Sequence, residues 1–261
     1  MRRMIHDDVP ITHVYVCGDS FAVGSGMPLD RCFEDSFGGI VAERLGLPLR
    51  VFARSGSCNF VIYLQVKKCI DVARERGENP LVLVSLTHHS RLLIPYESRG
   101  LPTAIDLSDV DYQSYHPYHS TSTPRRPLEF TPKHDPMLTS ETIASMGLAM
   151  HGNLSNDDRS SEMRRRKWKA IAMYFSELYD DAAKLETDIA LAATMHLMLE
   201  KAGFEHRILA RDTRAHTLPL AEKLLQIDWN GISAAHPDPA RTMHCNRDGH
   251  AIVAHRIITS I

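Results

Sequence analysis

Hydrophobic and polar positions alternate along the first third of the chain in a rhythm that predicts an α/β fold. His13-Val14-Tyr15-Val16-Cys17 is a short apolar run that stops at Gly18 and reads as a buried strand. Between Cys32 and Leu45, apolar residues recur at helical spacing (Phe33, Phe37, Ile40, Val41, Leu45), and Gly46 closes the helix. Leu49 to Ala53 predicts a second strand and Asn59 to Arg76 a second helix, ended by Gly77 and Pro80. Leu81-Val82-Leu83-Val84-Ser85-Leu86 is the strongest strand signal in the chain. Strand and helix in strict alternation point to a parallel sheet with helices on both faces.

The rhythm breaks after Arg91. Residues from about 92 to 160 are rich in Pro, His, Ser, Asp and Tyr, and they predict a long insertion over the functional edge of the sheet. Helical periodicity resumes from Ser161 to Lys201, with a break near Asp180-Asp181 and a cap at Gly203. Phe204 to Leu209 then reads as a strand and Asp248 to Ile261 as a terminal helix. The whole predicts one domain, 1–261, carrying the insertion at about 92–160.

Composition narrows the class. With 261 residues, 43% hydrophobic and 24% charged, and a formal net charge of -2, the chain reads as a globular protein with ample core. That charge balance gives no reason to expect nucleic acid as partner, and Arg164-Arg165-Arg166-Lys167 reads as a solvated helix face. No apolar run is long enough to span a bilayer, so no membrane partner is expected. The N-terminal residues do not read as a signal peptide. The five cysteines lack any disulfide or zinc-knuckle spacing, which fits a cytoplasmic location. The spacing of His116 and His119 in a proline-rich loop is a poor metal signal, so neither metal nor cofactor is expected.

The candidate chemistry lies in Gly18-Asp19-Ser20. A serine just past the carboxyl end of a first parallel strand sits where open α/β sheets place ligands. There a tight turn can expose its hydroxyl and aim backbone N–H groups at an oxyanion. Two later segments join it: Ser55-Gly56-Ser57-Cys58-Asn59 after the second strand, and His244-Cys245-Asn246-Arg247-Asp248-Gly249-His250 before the last helix.

In these three blocks, and in their order, the chain resembles the SGNH (GDSL-type) hydrolase superfamily, in a divergent form like that of tailed-phage proteins. The resemblance implies a three-layer α/β/α sandwich with a central parallel sheet (flavodoxin-like). It also implies a serine esterase or deacetylase that acts on a small-molecule or carbohydrate acyl ester without a cofactor. Ser20 would be the nucleophile, His244 the general base and Gly56 an oxyanion donor. Two places depart from the family pattern. The third block reads Leu86-Thr87-His88-His89-Ser90-Arg91 without the usual asparagine, so Thr87, His88 or Asn59 would have to donate. Arg241 stands where the family has its aspartate, leaving Asp238 as the candidate acid. Arg91 is a candidate for an anionic substrate group, and His250 reads as a packing or capping residue. The departures support an alternative, a non-catalytic binding or structural protein on the same sheet.

Overall fold

A computed structural model describes residues 9–24, 27, 31–53, 57–88, 92–94, 128–130, 177–178, 180–211, 222–238 and 244–261. In chain order the strands and helices are β1 (His13–Cys17), α1 (Ser20–Val23), α2 (Phe37–Leu45), β2 (Leu49–Val51), α3 (Asn59–Arg76) and β3 (Pro80–Ser85). They continue with β4 (Leu92–Ile94), β5 (Leu128–Phe130), α4 (Asp181–Ala202), β6 (His206–Ala210), β7 (Leu224–Gln226), α5 (Trp229–Ala235) and α6 (Arg247–Ile258).

Five strands form one parallel sheet in the order β2-β1-β3-β6-β7. Side chains alternate across it, because successive residues of a strand point to opposite faces. Val14, Val16, Leu81 and Leu83 face one core, shared with Phe37, Ile40 and Val41 of α2 and Val253 and Ile257 of α6. Tyr15, Cys17, Val82 and Val84 face the other, shared with Ile62 and Val66 of α3 and Met195 and Leu199 of α4. The expected α/β architecture, a parallel sheet with helices on both faces, is therefore present. Each large side chain buried this way contributes on the order of 1.5–3 kcal/mol.

Several boundaries differ from the periodicity, each for a local reason. Helix α2 starts at Phe37, not Cys32, because the Ser36 side chain caps it by accepting the Gly39 N–H. Helix α4 starts at Asp181 because the Asp180 carboxylate accepts the N–H groups of Ala182 and Ala183; residues 161–176 lie outside the described residues. Strand β7 and helix α5 carry too few residues for a period to show. Of the insertion at about 92–160, only β4 and β5 are described, as an antiparallel pair; His116, His119 and the rest lie outside the described residues. Among the described residues no helix is long and apolar enough to cross a membrane.

His250 of α6 is fully buried, and its Nδ1 accepts the Phe37 N–H at the start of α2 over 3.2 Å. It therefore caps a helix other than its own. Burial, with a smaller contribution from His244, pushes its pKa down to about 3. An unfolded histidine titrates near 6.5. Between those values the unfolded chain binds a proton that the folded chain refuses, so stability falls as the pH drops through that window. The slope from this group is at most about 1.4 kcal/mol per pH unit. His196 and His206, also lowered mainly by burial, act with the same sign. Urea unfolding at pH 7 and pH 5 should show the midpoint falling at the lower pH, and by less in His250→Asn. Equal midpoints for the native chain at the two pH values would contradict this.

Candidate active site

The loops that leave β1, β3, β6 and β7 all emerge at the carboxyl edge of the sheet. They carry Thr87 and His88 after β3 and Arg211 after β6, and they lead into the helices that Ser20 and Trp229 open after β1 and β7. The strand order reverses between β1 and β3, and a crevice at such a point is where open α/β sheets bind ligands.

The serine turn is held from three sides. Gly18 follows β1 with φ 154°, and a Cβ there would lie 2.6 Å from the Ala22 Cβ and 3.0 Å from the Ser85 Cβ, so only glycine fits. The Gln65 side chain of α3 clamps the Gly18 peptide. Its Oε1 accepts the Gly18 N–H (2.7 Å), and its Nε2 donates to the Gly18 carbonyl (3.2 Å) and to the Ser57 hydroxyl (3.1 Å). Asp19, 1% exposed, caps α1: its Oδ1 accepts the Phe21 N–H at 3.0 Å, and its Oδ2 accepts the Thr87 hydroxyl at 2.7 Å. Ser20 thus opens a short helix in a fixed orientation.

His244 arrives from the far end of the chain. Residues 236–238 and 244–246 run antiparallel: Asp238 N–H donates to the His244 carbonyl (3.0 Å), Asn246 N–H donates to the His236 carbonyl (2.9 Å), and Pro237 bridges Cys245. Asn246 then caps α6, its side chain accepting the N–H groups of Asp248 and Gly249. The imidazole stacks on Phe21, with centroids 4.7 Å apart and planes at 15°. Phe21 also packs on Trp229 at 4.6 Å and lies under the Arg211 guanidinium at 4.5 Å. So braced, His244 Nε2 lies 2.9 Å from Ser20 Oγ, across 224 residues of sequence. Cys245, beside it, is no rival nucleophile, because burial pushes its thiol up to about 12 and keeps it protonated.

The remaining predicted residues divide. Asp238 is buried and tied to His244 through the main chain. Asn59 and Thr87 are beside the site, but their donors are in use. Asn59 Nδ2 donates to the Thr87 carbonyl (3.1 Å) and to Asp188 Oδ2 (2.7 Å), while Asn59 Oδ1 accepts the Thr87 N–H (2.9 Å). Both amide hydrogens of Asn59 are spent, as is the Thr87 hydroxyl proton. These two residues hold the loop after β3 in place; an oxyanion would find no spare side-chain donor on either. His88 is half-buried. Gly56 and Arg91 lie outside the described residues.

A cavity of about 200 Å³ adjoins this shell, with Thr87, His88, Arg211 and Trp229 in its wall and Leu86, Leu185, Ile189 and Ile227 supplying apolar surface. A larger one, about 880 Å³, lies beside the edge strand β2 and includes none of the predicted site residues.

Sequence reasoning missed Gln65, Asp188, Phe21 and Arg211. A signal existed for the first: Gln65 interrupts the apolar stripe of Ile62, Val66 and Cys69 on α3, and a polar residue on a buried face needs a partner. Asp188, 5% exposed on α4, is held by Lys184 at 2.5 Å as well as by Asn59.

Comparisons of the chain with protein-family models, with curated proteins and with solved structures return no match.

Proposed function

We propose that this chain is a serine hydrolase of the SGNH type that cleaves O-acyl esters through an acyl-enzyme on Ser20. The observation that carries the reading is the 2.9 Å approach of His244 Nε2 to Ser20 Oγ at the carboxyl edge of the sheet. The strand order, equivalent to 2-1-3-4-5 among the parallel strands, is that of the flavodoxin-like sheet and supports the same reading.

In the proposed reaction Ser20 Oγ attacks the ester carbonyl as His244 takes its proton. His244 then hands that proton to the departing alcohol, and water repeats the sequence to release the acid. The developing oxyanion is met by the Ser20 N–H at the start of α1 and by the His88 imidazole; Gly56, the donor that the family resemblance implies, lies outside the described residues. Asp238, the acid the resemblance implies, is buried and its N–H holds the His244 carbonyl, which supports a role in positioning the His244 loop. Asp19, Gln65, Asn59 and Thr87 are positioning residues: they fix the turn and the loop facing it. The adjoining cavity, part apolar and with a cation in its wall, suits the acyl or alcohol portion of a small-molecule or carbohydrate ester.

A second reading, a non-catalytic binding protein, draws on one observation: the donors of Asn59 and Thr87 are already committed. Incubation with p-nitrophenyl acetate and butyrate separates the two. Turnover above the buffer rate is expected. Failure to hydrolyse any short acyl ester, by folded protein, would favour the binding protein.

A further inference from the structure

We propose that His196, Glu200 and His206 form a binding site for a divalent transition-metal ion, zinc by the chemistry of its ligands, at the edge of the sheet opposite Ser20. His196 and Glu200 are four residues apart on α4 and so share a face. The helix ends at Gly203, and His206 opens β6 directly afterwards. One ligand atom from each of the three residues lies within 4.8 Å of the other two.

The details favour a ligand set over a chance cluster. His206 is fully buried, and its Nδ1–H donates to the Phe204 carbonyl at 2.9 Å. That bond fixes the tautomer and leaves the lone pair on Nε2, which faces His196 Nδ1 at 2.9 Å. Metal-binding histidines are oriented in just this way, the second ring nitrogen donating to a backbone carbonyl. Two nitrogens about 2.0–2.1 Å from a tetrahedral zinc stand about 3.3 Å apart, so opening the pair by a few tenths of an ångström admits the ion. The Nδ1 proton of His196 moves to its Nε2, and both rings remain neutral.

Glu200 is exposed and its Oε1 lies 3.9 Å from His206 Nδ1, the nitrogen turned to Phe204, so its carboxylate would swing about its side-chain bonds to meet the ion from the solvent side, where water supplies a fourth ligand. Lys223, a cation that acts on both rings, already donates to both oxygens of Glu205 at 2.8 Å each. An ion here would clip the end of α4 to the start of β6. It would brace the fold, far from the serine chemistry.

Zinc titration of the chelator-treated full chain, followed by calorimetry and by thermal unfolding, tests this. One ion per chain is expected, bound in the micromolar range or tighter, with a rise in Tm. His196→Ala, on a half-buried helix face, and Glu200→Gln, at an exposed position, should keep the fold and lose affinity by about ten-fold or more. An absence of zinc binding by the native chain would overturn the proposal, and so would equal affinity in the native chain and both variants.

Discussion

Ser20→Ala is expected to lower ester turnover by about 10⁴-fold or more, with the fold retained. The substitution removes the only atom that would bond to the acyl carbon. It disturbs little else, because the restraints on the turn are made by Gly18, Asp19 and Gln65 and not by the Ser20 hydroxyl. The stability cost should be about 1 kcal/mol, that of one hydrogen bond. Circular dichroism and urea unfolding verify the fold, and ester hydrolysis reads the effect. Full turnover in a folded Ser20→Ala protein would place the nucleophile elsewhere.

His244→Gln should be nearly as damaging, for a different reason. Glutamine fills much of the imidazole's space and can bond to Ser20, but it cannot take a proton from it, so the serine is left unactivated. The loss of the stack on Phe21 adds a cost of about 0.5–1.5 kcal/mol to stability, small beside the expected loss of about 10³-fold or more in rate. Residues acting as one unit are not additive. Ser20→Ala with His244→Gln should therefore be no slower than the slower single variant. Multiplicative losses in the double variant would mean that the two side chains act independently, against the 2.9 Å contact.

Much of the sheet was legible because its central strands β1, β3 and β6 are buried and so read as short apolar runs. β1 and α3 appear at the boundaries that their patterns predict. Where reading failed, the deciding interaction was a side chain or a short element and not a period: Ser36 shortens α2, Asp180 sets the start of α4, and β7 spans three residues. The approach of His244 to Ser20 was expected for a different reason, since each lies in a compact local motif.

Their support was not legible, because it comes from elsewhere in the chain. Gln65 reaches Gly18 across 47 residues, and Asn59 reaches Asp188 across 129. No local pattern reports such a pairing. The role of Asn59 shows the limit well: its residue type suits an oxyanion donor, and only the positions of Thr87 and Asp188 reveal that its donors are spent.

The most direct test of the Ser20 assignment is covalent. The folded chain is treated with a fluorophosphonate, which forms a phosphonyl ester with an activated serine, and the product is digested and mapped by mass spectrometry. One adduct per chain is expected on the peptide bearing Ser20, absent from Ser20→Ala and strongly reduced in His244→Gln. A folded native chain that stays unlabelled, or that carries the adduct on another residue, would contradict the assignment.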